Sequence, residues 1–192
     1  MVKFLIPEPS VLKHKVQLSL EEIIFIFNDT FSSKYNIILK GGADEPIYLP
    51  ANPDCKTNKL IFRDNYIASA LHEIAHWCLA GDERRKMIDY GYWYNSDGRS
   101  NIEQKIFEEV EIKPQALEWM FSIATNNIFN ISIDNLDGDK EPSWYFLKSI
   151  SDQAHHWCIE SFPNRALMFV NALVCNTGIS PFDSSLYKFC SE

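Results

Sequence analysis

The apolar positions along the chain change period near residue 65. Prolines and lysines break up any pattern in residues 1–18. Ser19-Leu-Glu-Glu22 then has the form of a capping box ahead of the apolar run Ile23 to Phe31, and predicts a helix. Asn36 to Lys40, Ile47 to Leu49 and Lys59 to Arg63 are short, rich in β-branched or aromatic residues and bounded by Gly, Pro or Asn signals, which predicts three short strands. From Asn65 the spacing becomes helical. Ile67, Leu71 and Ala75 recur every fourth residue up to Ala80-Gly81, where glycine suits the position after a helix end. Asp82 to Tyr90 predicts a second helical stretch, followed by the aromatic loop Gly91 to Tyr94 and a turn at Asn95 to Gly98.

Asn101 to Ala124 predicts a long helix with Phe107, Val110, Pro114, Leu117 and Phe121 on one stripe and Glu108, Glu111, Gln115 and Glu118 on the next. Pro114 lacks an N–H and is expected to kink or restart it. Asn127 to Asp134 alternates weakly and fits a strand or an extended loop, ahead of a turn at Asp137 to Asp139. Ser143 to Phe162 and Asn164 to Asn176 read as closing helices divided at Pro163. The expectation is an α+β domain over residues 19–192, with residues 1–18 as a poorly patterned leader. In it a small mixed sheet packs against the helix after Asn65, and further helices close the domain.

Composition narrows the function classes. A chain of 192 residues with 46% hydrophobic residues can bury one full core. The apolar patch Val2 to Ile6 is interrupted by Pro7, Glu8 and Pro9 before it could act as a signal or a membrane span, so a cytoplasmic protein without a membrane partner is expected. The five cysteines (Cys55, Cys78, Cys158, Cys175, Cys190) include no CxxC pair, and suggest neither a disulfide framework nor a thiolate zinc site. A formal net charge of −8, with the few basic clusters, such as Glu83 to Lys86, flanked by carboxylates, argues against direct nucleic-acid binding. It leaves room for a cationic substrate.

Candidate chemistry lies in His72-Glu73-Ile74-Ala75-His76, an HExxH motif on a predicted helix. The i, i+4 spacing points both imidazoles at one site. Continuation as a metzincin would need Gly at 79 and His at 82, where the chain has Leu79 and Asp82. A third ligand from a later helix is therefore expected. Glu111 is favoured and Glu108, one turn away, is the alternative; both could equally form a solvated acidic face. Two histidines and a carboxylate support either zinc activating water, with Glu73 as the catalytic base, or ferrous iron activating dioxygen, with Glu73 orienting water or a histidine. His155 and His156 are adjacent and so face different sides of a helix; His14 lies in the leader. Asp44 and Glu45 form either a turn or an anionic wall for a cationic substrate.

Four blocks in one order, DEPIYLPA (Asp44 to Ala51), LHEIAHWCLAG (Leu71 to Gly81), DYGYWYNSDGR (Asp89 to Arg99) and FEEVEIKPQALEW (Phe107 to Trp119), resemble the elongation factor P hydroxylase family. The resemblance runs from about Ser19 to at least Phe146. It implies a non-haem Fe(II) and O2-dependent oxidoreductase acting on the β-lysylated lysine of elongation factor P. His72, His76 and a carboxylate within Glu108 to Glu111 would hold the metal, for which zinc or another divalent ion can substitute. Tyr92 and Trp93 would wall the substrate channel, with Asp44 and Glu45 meeting its ammonium groups. The alternatives are a zinc metallopeptidase of the HExxH plus Glu type, a noncatalytic binding module, and, weakest because no basic stripe is present, a metal-dependent nuclease.

Overall fold

The computed structural model describes residues 16–90, 99–133 and 141–188. Helix α1 (Leu20–Tyr35) starts at the capping box: the Ser19 N–H donates to Glu22 Oε2 at 2.7 Å, and the Glu22 N–H donates to Ser19 Oγ at 3.3 Å. It buries Ile23, Ile26, Phe27 and Phe31, and ends at Asn36 in the left-handed conformation, φ 49°.

The three expected strands form one mixed sheet of order β1-β3-β2. Strand β1 (Ile37–Ala43) runs parallel to β3 (Asn58–Arg63), and β2 (Ile47–Leu49) runs antiparallel to it. The β1–β3 register shifts between Lys40 and Ala43. Gly41 is required there, because a Cβ would lie 2.7 Å from the ring of fully buried Phe62 and 2.5 Å from Asn65 Oδ1.

Asp64, at φ 52°, turns the chain out of β3 and into α2 (Ile67–Leu79), which carries the HExxH motif. Helix α2 buries Ala70, Leu71, Ile74, Ala75 and Trp77. The expected glycine cap does not form, since Gly81 is not in the left-handed conformation. Arg165, from α5 (Asn164–Thr177), closes the helix instead. Its guanidinium donates to the carbonyl oxygens of Trp77 (3.2 Å), Cys78 (3.0 Å) and Ala80, and so satisfies the acceptors left open at a helix C-terminus.

The helix expected over Asp82 to Tyr90 is also corrected. Only the 3-10 turn Arg84–Lys86 forms, because Asp89 is drawn into extended backbone by Tyr48 of β2. The two residues exchange N–H···O bonds of 2.7 and 3.1 Å, and Arg84 pairs with the Asp89 carboxylate. Helix α3 (Asn101–Ala124) has the expected bounds and passes through Pro114 without restarting. The hydrogen bond that proline removes is the one to the carbonyl of Val110, and Val110 is exposed despite its place in the expected apolar stripe. Residues 127–133 form no strand; Gln115 holds them instead, donating to the Ser132 carbonyl (2.6 Å) and accepting from the Ser132 N–H (3.1 Å). Helix α4 (Trp144–Ile159) and α5 close the domain as expected, and α3 packs against α2, α4 and α5. No helix among the described residues is long and apolar enough to cross a membrane.

Candidate metal centre

One face of α3 supplies the polar side of the site. Glu108, Glu111, Gln115 and Glu118 follow the 3, 4, 3 spacing that keeps side chains on one face, and all four are buried. A buried carboxylate is costly unless it is hydrogen-bonded or paired. Glu108 accepts from the Ser143 hydroxyl at 2.5 Å and from the Ser143 N–H at 3.3 Å, at the start of α4. Glu111 and Glu118 face the histidines of α2.

His72 Nε2 lies 3.0 Å from His76 Nε2 and 3.5 Å from Glu111 Oε2, while His76 Nε2 lies 3.3 Å from Glu111 Oε1. Donor atoms about 2.1 Å from one ion sit about 3.0 Å apart at right angles and about 3.4 Å apart at the tetrahedral angle. The spacing and the chemistry of the donors therefore fit a divalent metal ion. Among the described residues, His72, His76 and Glu111 are the group of metal-ligating side chains close enough to share one.

Glu118 was not anticipated as part of the site. Its Oε2 lies 2.9 Å from His72 Nδ1, on the side of the ring away from Glu111. The signal was present in the sequence as a carboxylate two turns after Glu111, but charge runs on helices are usually solvated and the spacing alone does not reveal burial. Glu73 is buried and lines a small cavity with His76, Tyr48, Arg84, Arg85 and Asp89. Asp44 and Glu45 are exposed between β1 and β2 and are not among the groups gathered at the histidines. Tyr92 and Trp93 lie outside the described residues, as do His14 and Cys190. His155 Nδ1 is 2.9 Å from the Ser151 carbonyl and His156 is exposed, so neither joins the site.

The electrostatics favour protons in the absence of metal. Burial works against a charged His72, but the hydrogen bond to Glu118 and the charges of Glu111, Glu118 and Glu73 outweigh it and raise the imidazole from 6.5 to about 10. Burial also raises Glu73 and Glu118, against the pull of the histidines. The folded chain thus favours a proton on His72 that the unfolded chain releases at lower pH. For His72 that contribution to stability is complete below 6.5 and is lost as pH rises through about 10. Chelator-treated protein is expected to melt at progressively lower temperature as pH rises across this interval. A metal ion must displace the Nε2 proton, so metal affinity is expected to rise over the same interval. Melting curves with and without metal at stepped pH check both trends; a metal-free melting temperature that climbs with pH would contradict the assignment.

Fold and site together define an α+β protein whose two helical histidines and one buried glutamate can hold a divalent metal ion. The model of the elongation factor P hydroxylase family matches residues 26–184. An elongation factor P lysine hydroxylase from Haemophilus influenzae is 46% identical over 163 residues, covering 85% of this chain and 89% of its own length. The chain belongs to the elongation factor P hydroxylase family.

Proposed function

We propose that this protein is an iron-dependent oxidoreductase that hydroxylates a lysine side chain of elongation factor P, after that lysine has been extended by a β-lysyl group. The observation that carries the substrate is the 46% identity, over most of both chains, to a protein named elongation factor P lysine hydroxylase. In support of the metal, His72, His76 and Glu111 converge with the donor spacing of a divalent site. Family membership favours the hydroxylase over the zinc peptidase that would use the same ligands.

Held by those three side chains, iron(II) would supply activation of dioxygen, the chemistry an unactivated C–H bond requires. The protein's own part is to orient and to exclude. The two imidazoles present Nε2 from one helix, and Glu111 faces both from the next. The His72 side chain is 25% exposed against 11% for His76, which supports an approach of the substrate lysine from the His72 side. Glu73, buried beside His76 and raised by burial, is placed to hold a proton next to the ligand set. The anionic turn of Asp44 and Glu45 would attract the ammonium groups of the extended lysine, and Tyr92 and Trp93 would wall its channel. A translation factor as substrate supports a reaction in the cytoplasm.

Intact-mass analysis of β-lysylated elongation factor P after incubation with the protein, Fe(II), a reductant and air is the test. The expected result is a gain of one oxygen atom that disappears with His76→Ala. No gain from folded, iron-loaded protein would overturn the hydroxylase.

A further inference from the structure

We propose that Glu118 is a positioning residue for the metal: it fixes the ring of His72 so that Nε2 faces Glu111 and His76. This rests on the metal reading above and assigns a further residue to it. Both nitrogens of His72 face a single helix: Nδ1 is hydrogen-bonded to Glu118 Oε2 at 2.9 Å, and Nε2 lies 3.5 Å from Glu111 Oε2. Positions 111 and 118 are two helical turns apart, so one face of α3 brackets the imidazole.

Packing restrains the two ligands unequally. The His76 side chain is 11% exposed and that of His72 25%, so neighbours cover the His72 ring less completely and its orientation depends more on its hydrogen bond. Rotation by half a turn would exchange the nitrogen and carbon edges and withdraw Nε2 from Glu111. An ionised carboxylate is only an acceptor, so Glu118 requires an N–H at Nδ1 and leaves the Nε2 lone pair for a metal. It also makes that nitrogen a stronger donor, as carboxylates hydrogen-bonded to metal-binding histidines generally do. Glu118 is 4% exposed, which shields the bond from competing water.

The test uses Co(II) as the probe, because it accepts the same nitrogen and oxygen ligands and reports their geometry in its visible absorption. The unaltered protein, Glu118→Met and Glu118→Gln are titrated with Co(II), and the melting temperature of each metal-free form is recorded to confirm folding. Methionine keeps the volume and removes the acceptor; glutamine keeps an acceptor oxygen and removes the charge. Glu118→Met is expected to weaken Co(II) binding by about 10- to 100-fold and to change the absorption bands, with Glu118→Gln falling between it and the unaltered protein. A merely structural role would lower the melting temperature and leave the spectrum of the bound ion unchanged.

Co(II) affinity of Glu118→Met within about twofold of the unaltered protein, with the same spectrum, would overturn the proposal while leaving the metal site intact. If Glu118→Met fails to fold, Glu118→Gln decides: at least about threefold weaker binding supports the role, and equal binding overturns it. Absence of saturable Co(II) binding by the unaltered protein would overturn the metal reading and this proposal together.

Discussion

Replacing Glu111 by glutamine is expected to weaken metal binding by more than about 100-fold, because loss of a group that merely orients a ligand already costs about 10- to 100-fold. Hydroxylation at sub-saturating iron is expected to fall at least as far. The substitution keeps shape and removes charge at a residue 2% exposed, flanked by His72 Nε2 at 3.5 Å and His76 Nε2 at 3.3 Å. The matched control is Glu108→Gln. Glu108 is the other carboxylate that sequence spacing offers, but its oxygens accept from the N–H and hydroxyl of Ser143. Ser143 Oγ in turn accepts from the Phe146 N–H at 3.1 Å and caps α4. Glu108→Gln is therefore expected to cost about 1 kcal/mol of stability through that cap and to leave metal affinity within about threefold. Calorimetric titration of both variants with a divalent metal, alongside their melting curves, separates the two carboxylates. The reverse ranking would transfer the ligand role to Glu108.

That comparison also bears on how much could be read from the residues. The start of α1 was legible because a capping box sets it, the span of α3 because an apolar stripe repeats along it, and the three strands because short β-branched runs stood between Gly, Pro and Asn signals. The two histidines were legible because their geometry is contained within one helix. The acidic stripe of α3 was legible only as a stripe. Glu108, Glu111, Gln115 and Glu118 share one spacing, and each has a separate buried task, at Ser143, at the two histidines, at Ser132 and at His72. Which task falls to which residue depends on what α2, α4 and residues 127–133 bring to that face, and periodicity within α3 carries none of it. The mistaken helix over Asp82 to Tyr90 has the same origin. Its composition suits a helix, but Tyr48, more than thirty residues earlier, pairs with Asp89 and pulls the backbone straight. Likewise Arg165 caps α2 from a distant helix, where the adjacent Gly81 was the local candidate.

Trp77→Ala is expected to destabilise the metal-free fold by about 3–5 kcal/mol, a large fraction of the total for a domain of this size. Trp77 follows His76 in sequence and so lies about 100° round α2, on the side that meets α1. Its ring is 4.8 Å from Phe31, 5.4 Å from Phe27 and 5.5 Å from Tyr35, in tilted or edge-on contacts that aromatic pairs favour. Arg165 lies over the ring at 5.1 Å while its guanidinium caps the end of α2. Alanine would open a cavity at the junction of α1, α2 and α5 and leave the capping arginine without its platform. The melting temperature is expected to fall by about 6–20 °C, and Trp77→Phe to recover more than half of the loss. The metal ligands lie on a different face, so folded Trp77→Ala should still bind metal, and metal should raise its melting temperature as binding to the native state alone requires. A loss below about 1 kcal/mol would show that this cluster is not what anchors the helix. A folded variant that no longer binds metal would show instead that packing behind α2 sets the angle at which His72 and His76 meet Glu111.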